Sequence, residues 1–208
     1  MGALFYEKCK HISRDVEDAE NLATLLQSGV GGQIRISTSL AFGRRIMVPP
    51  ALRYLREHPA VRIDLGFDDR YVDMVEQGVD LAIRMGHLAD SSLGARYVGT
   101  NPWVMVASPA YLVVHPAVHL AVRPAPRVPA DLAGHNCMIY SSVQGDERWS
   151  FTGPMGEEIS VPVAGRSRTN NLSAVLAATR AGMGLTVLPW YVARESVADA
   201  SLTPVLND

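Results

Sequence analysis

The first pattern along the chain is helical. From Phe5 to Leu26 the apolar or small positions are Phe5, Cys9, Ile12, Val16, Ala19, Ala23 and Leu26, alternating steps of four and three with charged residues between them. This is a heptad seam. A helix packed on its own domain presents a wider apolar stripe, so the narrow one predicts an amphipathic helix aimed at a partner helix. The run Gly29-Val30-Gly31-Gly32 is too flexible to continue it and reads as a linker.

Beyond the linker the period drops to two. Ile34 and Ile36 alternate with polar neighbours over Gln33 to Ser37, which predicts a strand. Pro49 and Pro50 then open a helix whose Leu52 and Leu55 share a face and which closes at His58-Pro59. Val61, Ile63, Leu65 and Phe67 alternate with Arg62, Asp64, Gly66 and Asp68 as a second strand. A short helix from Tyr71 to Gln77 ends at Gly78, and Val79 to Ile83 forms a third strand. Strands joined by helical crossovers pair in parallel with right-handed connections, so this half is expected to be an open α/β sheet with helices on both faces.

A second α/β region begins near Pro102. Trp103 to Ala107 reads as a strand and Pro109 to Leu112 as a short helix, while Val113 to Pro129, with four prolines, reads as an exposed excursion. Cys137 to Tyr140, Trp149 to Phe151 and Ile159 to Val163 are short strands. Asn171 is a good N-cap for a helix over Leu172 to Ala181, Gly182 and Gly184 end it, and Leu185 to Leu188 is a buried strand closed by Pro189.

Composition narrows this picture. The 208 residues are 48% hydrophobic and 19% charged, which is a globular balance sufficient for one large or two small domains. A formal net charge of -2 lacks the basic excess of a phosphate-backbone reader. Cys9 and Cys137 make neither a disulfide framework nor a zinc spacing, and read as two reduced thiols. Charges at Glu7, Lys8, Lys10, Asp15, Glu17, Asp18 and Glu20 break any signal-peptide run, and His115, Pro116 and His119 interrupt the longest apolar stretch. A cytoplasmic setting with no membrane contact is expected.

Catalytic chemistry is hard to find. No GxSxG, HExxH, GxxxxGK[ST] or GxGxxG occurs, and the glycines at 29, 31 and 32 precede a strand where a phosphate loop would follow one. His115 and His119 have i,i+4 spacing, with His135 as a possible third ligand, yet the surrounding prolines argue against the helix that would align them. Asp68 with Asp69, or Asp73 with Glu76, form carboxylate pairs that read as helix-start charges or solvated faces. An enzyme using Asp73, His87 or His135 lacks any nucleophile, base and orienting group in register. No metal and no cofactor is expected.

What does resemble a site lies at strand C-terminal ends, where an open α/β sheet leaves its crevice. Ser37, Thr38 and Ser39 end the first strand, Arg84 ends the third, and Thr169, Asn170 and Asn171 enter the helix of the second half. Hydroxyls and free N–H groups before a helix favour a negative ligand, and an Arg can clamp a carboxylate with two hydrogen bonds. The plainer alternatives are ordinary capping for the serines and Asn171 and a surface ion pair for Arg84.

The run Gly32 to Ser37 followed by Phe42-Gly43-Arg44-Arg45, Pro49 and Pro50, and then HPAVRIDLGFDDRYVDMVEQGVDLAIRMG from His58 to Gly86, resembles the effector-binding domain of LysR-type transcriptional regulators. DSSLGARYVG, ASPAYL, PADLAGHNC and RTNNLSAVLAATRAGMGLTVLPWYV follow in that family's order, so the resemblance covers nearly the whole chain. It implies two Rossmann-like α/β subdomains in a periplasmic-binding-protein-like (type 2) arrangement, preceded by an N-terminal linker helix that pairs with a second copy. On that pattern residues 1–30 are the linker, 31–100 with about 186–208 subdomain I, and 101–185 subdomain II.

The resemblance further implies a small-molecule effector in a cleft between subdomains, contacted by Thr38, Ser39, Phe67, Arg84, Asn170, Asn171 and Pro189. A homodimer or homotetramer is expected, with DNA contacted only through a winged helix-turn-helix that this sequence does not include. The expected function is effector sensing for transcription regulation, with an anionic metabolite as ligand and no catalysis. A free-standing two-lobed solute-binding protein is the alternative. Val113 to Arg127 is longer than the corresponding loop of similar sequences and has no functional account.

Overall fold

The computed structural model describes residues 30–69, 78–86, 88, 90–112, 125–141, 147–153 and 155–206, together with Gly2, Phe5, Tyr6, Lys8, Cys9, Ile12, Ser13, Asp15, Val16 and Ala19. The helix expected over Tyr71 to Gln77, and with it Asp73 and Glu76, falls outside the described residues, as do His87, His115 and His119. The chain forms two compact units, Met1–Ser91 and Ser92–Asp208. The sequence expectation drew this boundary elsewhere, assigning 186–208 to the first subdomain.

The first unit is built on a parallel sheet of order β2-β1-β3, with β1 Gly32–Thr38, β2 Val61–Phe67 and β3 Leu81–Ile83. The register runs Gly32↔Val61 to Thr38↔Phe67 on one side and Ile36↔Leu81 to Thr38↔Ile83 on the other. The β1 strand is central because both of its edges are paired, which buries its last three residues, Ile36, Ser37 and Thr38. The helical path after β1 starts earlier than Pro49. It runs through α1 (Leu40–Phe42), a π-turn at Gly43–Met47 and α2 (Val48–Glu57). Prolines lack an N–H, so Pro49 and Pro50 sit in the opening turn of α2, and the preceding turn widens so that the Val48 N–H reaches the Gly43 carbonyl. The described residues between Gly2 and Ala19 are helical where they fall on the seam, and Phe5, Ile12 and Val16 are exposed.

The second unit has a mixed arrangement. The β4 strand (Trp103–Ala107) pairs antiparallel with β9 (Leu185–Pro189) and with β10 (Thr203–Pro204). Met138–Tyr140, β5, runs parallel to β8 (Ser167–Thr169), while β6 (Arg148–Thr152) and β7 (Glu158–Pro162) form an antiparallel hairpin. A bridge from Cys137 to Leu185 ties β5 to β9. Met105, Ala107, Leu132, Cys137, Ile139, Trp149, Val161, Val163, Leu185 and Val205 make its core. Pro109–Leu112 forms α3, a 3-10 turn spans Pro129–Gly134, and α4 (Leu172–Arg180) ends with Gly182 at φ +76°. A further helix, α5 (Trp190–Ala198), follows directly on β9, where the expectation placed only a strand end.

Candidate functional site

The C-terminal end of β1 gathers the groups of the first unit. Because β1 is central, Thr38 is flanked by Phe67 on β2 and Ile83 on β3, and its carbonyl accepts the Asp68 N–H at 2.9 Å. Arg84 follows β3 and reaches across to β1: its Nη2 donates to Ser37 Oγ at 2.8 Å and its Nη1 to the Asp68 carbonyl at 3.2 Å. The guanidinium thus ties together the C-terminal ends of all three strands. Among the described residues these are its bonds, to a hydroxyl and a carbonyl and not to a carboxylate.

Ser39 is the residue before α1, with extended backbone (φ -66°, ψ 148°), and its side chain makes no cap. The Leu40 N–H is instead taken by Asp69 Oδ1 at 3.0 Å, from just beyond β2. Asp69 is therefore a helix-start charge, as the sequence suggests, but for the helix after β1. The Gly43 N–H bonds to the Ser39 carbonyl at 2.8 Å. Gly43 is required there, since a Cβ would lie 2.7 Å from Thr38 Cγ2 and inside the Phe67 ring.

Two hydroxyls in this cluster have no hydrogen-bond partner among the described residues: Thr38 Oγ1 and Ser39 Oγ, both inaccessible at the atom. Thr38 is fully buried as a residue. Buried hydroxyls are normally satisfied, and leaving one unmade costs about 1–3 kcal/mol. Phe67, 39% exposed, covers Gly43 beside them. Chemically the cluster offers two unspent hydroxyls beside a half-exposed ring, with Arg84 and Asp69 already engaged.

In the second unit, Asn171 caps α4: its Oδ1 accepts from Ala174 N at 3.0 Å, and its own N–H donates to Thr169 Oγ1 at 3.2 Å. Asn170 is exposed. Pro189 is fully buried at the entry to α5 and presents no surface. His135 is buried with Nδ1 3.2 Å from the Tyr111 hydroxyl, which accepts the Asn136 N–H at 2.9 Å. This ring braces α3 against the 3-10 turn. Asp131 is held below its usual range by the N–H groups of Arg127 and Val128, and burial pushes the Cys137 thiol up to about 12.

The fold matches known proteins. A model of the LysR substrate binding domain matches residues 27–208. The chain belongs to the LysR substrate-binding domain family. Its relatives include an uncharacterized HTH-type transcriptional regulator of Haemophilus influenzae, 28% identical across 100% of this chain and 69% of that protein. The HTH-type transcriptional activator AaeR of Escherichia coli is 27% identical across 92% of this chain and 60% of that protein. The chain therefore spans roughly two thirds of the length of these LysR-family relatives. Among solved structures, the full-length Vibrio cholerae virulence activator AphB covers 100% of the chain with 67% of its own length, at TM-score 0.75 and 28% identity. The regulatory domain of AphB from Vibrio vulnificus covers 86% with 83% of its length, at TM-score 0.67 and 29% identity.

Proposed function

We propose that this chain is the effector-sensing part of a cytoplasmic LysR-type transcriptional regulator. It binds a small metabolite without transforming it, and associates with copies of itself through the apolar seam of its N-terminal helical residues. DNA contact belongs to a helix-turn-helix of the kind its relatives are named for. The observation that carries ligand binding is the pair of unpartnered hydroxyls, Thr38 Oγ1 and Ser39 Oγ, at the end of the central strand. A ligand supplying acceptors or donors there removes a standing cost to the fold.

Phe67 and Arg84 belong to the same proposed contact set; Asn170 and Asn171 are proposed contacts of the second unit, and Pro189, whose side chain is fully buried, would contribute only by shaping the entry to α5. An acidic ligand, as the sequence suggests, would take its N–H partners from groups already bonded within the chain. Effector binding that favours one arrangement of the regulator over another would then bias its action on DNA by population shift.

A thermal-shift screen of the chain against a metabolite library tests this. A ligand at 100 times its dissociation constant adds about 2.7 kcal/mol to the folded state. Thr38→Val removes an unpaired hydroxyl at constant shape, so without ligand the variant is expected to melt at or above the temperature of the parent, and it is expected to lose the ligand-induced shift. Hits that stabilise Thr38→Val as much as the parent would overturn the assignment.

A further inference from the structure

The strand-end cluster already contains an anion of its own. Asp69 Oδ1 accepts the Leu40 N–H at 3.0 Å across 29 residues of sequence, while the residue expected to cap that helix, Ser39, leaves its hydroxyl buried and unpartnered. Asp69 therefore already holds a main-chain N–H that an acidic ligand at the strand end would otherwise take. The guanidinium of Arg84 spends hydrogen bonds on Ser37 and the Asp68 carbonyl. A carboxylate that reaches the Thr38 and Ser39 hydroxyls, which are closed to solvent in the unliganded chain, meets beside them a like charge holding the main-chain donor.

We infer that Asp69 sets the affinity of the strand-end site for acids, acting as an internal competitor that an acidic effector must displace from the Leu40 N–H. This rests on the proposed ligand site at Thr38 and Ser39 and adds its charge selectivity. Two carboxylates a few ångströms apart repel even at a position beside solvent. The competition acts on charged ligands only: an uncharged hydroxyl-bearing ligand at Thr38 and Ser39 meets no such repulsion. Asp69 is thus a specificity-determining residue, and its effect is opposite in sign to that of an ordinary binding residue, since neutralising it strengthens binding.

Asp69→Asn is the discriminating variant. An Asn side chain keeps an oxygen acceptor for the Leu40 N–H, so the helix start stays capped while the charge is removed. Binding of benzoate, succinate and inorganic phosphate to the chain and to Asp69→Asn would be measured by titration calorimetry, after thermal melts confirm that both fold. The expected result is at least a tenfold tighter dissociation constant for one or more of these anions in Asp69→Asn, with the gain abolished in Asp69→Asn/Thr38→Val. A merely structural cap would leave affinity unchanged or weaken it, and either result overturns the inference while leaving the ligand site standing. A gain that survives Thr38→Val places the anion elsewhere and also overturns it. No binding of any of the three anions to either protein overturns the acid-binding reading of the site itself.

Discussion

At the scale of single residues, the strand-end cluster is organised by which polar groups are spent and which are not. Ser37, Arg84 and Asp69 are bonded to one another's neighbourhoods, whereas Thr38 and Ser39 keep their hydroxyls unpartnered. Cys137 illustrates the opposite outcome of burial. Its thiol has no exposed surface, and desolvation lifts its pKa from 9.0 to about 12, whereas Cys9 is exposed. Only the thiolate attacks, so a chromogenic disulfide reagent at pH 8 is expected to label one thiol in the folded chain and two after unfolding. The same shift has a signed consequence for stability. Both folded and unfolded states keep this thiol neutral below pH 9, and above it the unfolded state alone ionises, so stability falls as pH rises toward 12. Labelling of both thiols in the folded protein would contradict the packing of Cys137.

At the scale of elements, the strongest local signals are those in which one residue type settles one geometry. Asn171 takes up extended backbone and accepts from the third N–H of α4, as a residue of its kind before a helix should. Asn171→Ala is expected to cost about 1 kcal/mol, lowering the melting temperature of the chain by about 2–4 °C; an unchanged melt would contradict the cap. The β2 strand was legible because its alternation has the period of a half-buried strand, and its bounds are those the pattern indicates. The α5 helix was not legible. Pro189 reads as a stop, and the buried residues Tyr191, Val192 and Ala193 are contiguous rather than spaced as a stripe. The π-turn at Gly43–Met47 and the three-residue β8 likewise carry no periodic signal of their own. Of the site, Thr38, Ser39 and Arg84 could be read as strand ends, but the pairing of Asp69 with Leu40 spans 29 residues and is visible only when β1 and β2 lie side by side.

At the scale of the whole molecule, two units each solve their own burial problem, the first around a central strand and the second around the Met105, Ile139, Trp149 and Leu185 core. Membership of the LysR substrate-binding domain family covers both units. No helix among the described residues is long and apolar enough to cross a membrane. The proposed sensing site for a small molecule is the C-terminal end of the central strand of the first unit. Hydrogen exchange measured residue by residue, with and without a saturating hit from the thermal screen, tests this most directly. Slowed exchange at the amides of Leu40, Gly43 and Asp68 is the predicted result, because each donates within the cluster that a bound ligand would hold closed. Protection confined to the second unit, with these three amides unchanged at full occupancy, would contradict it.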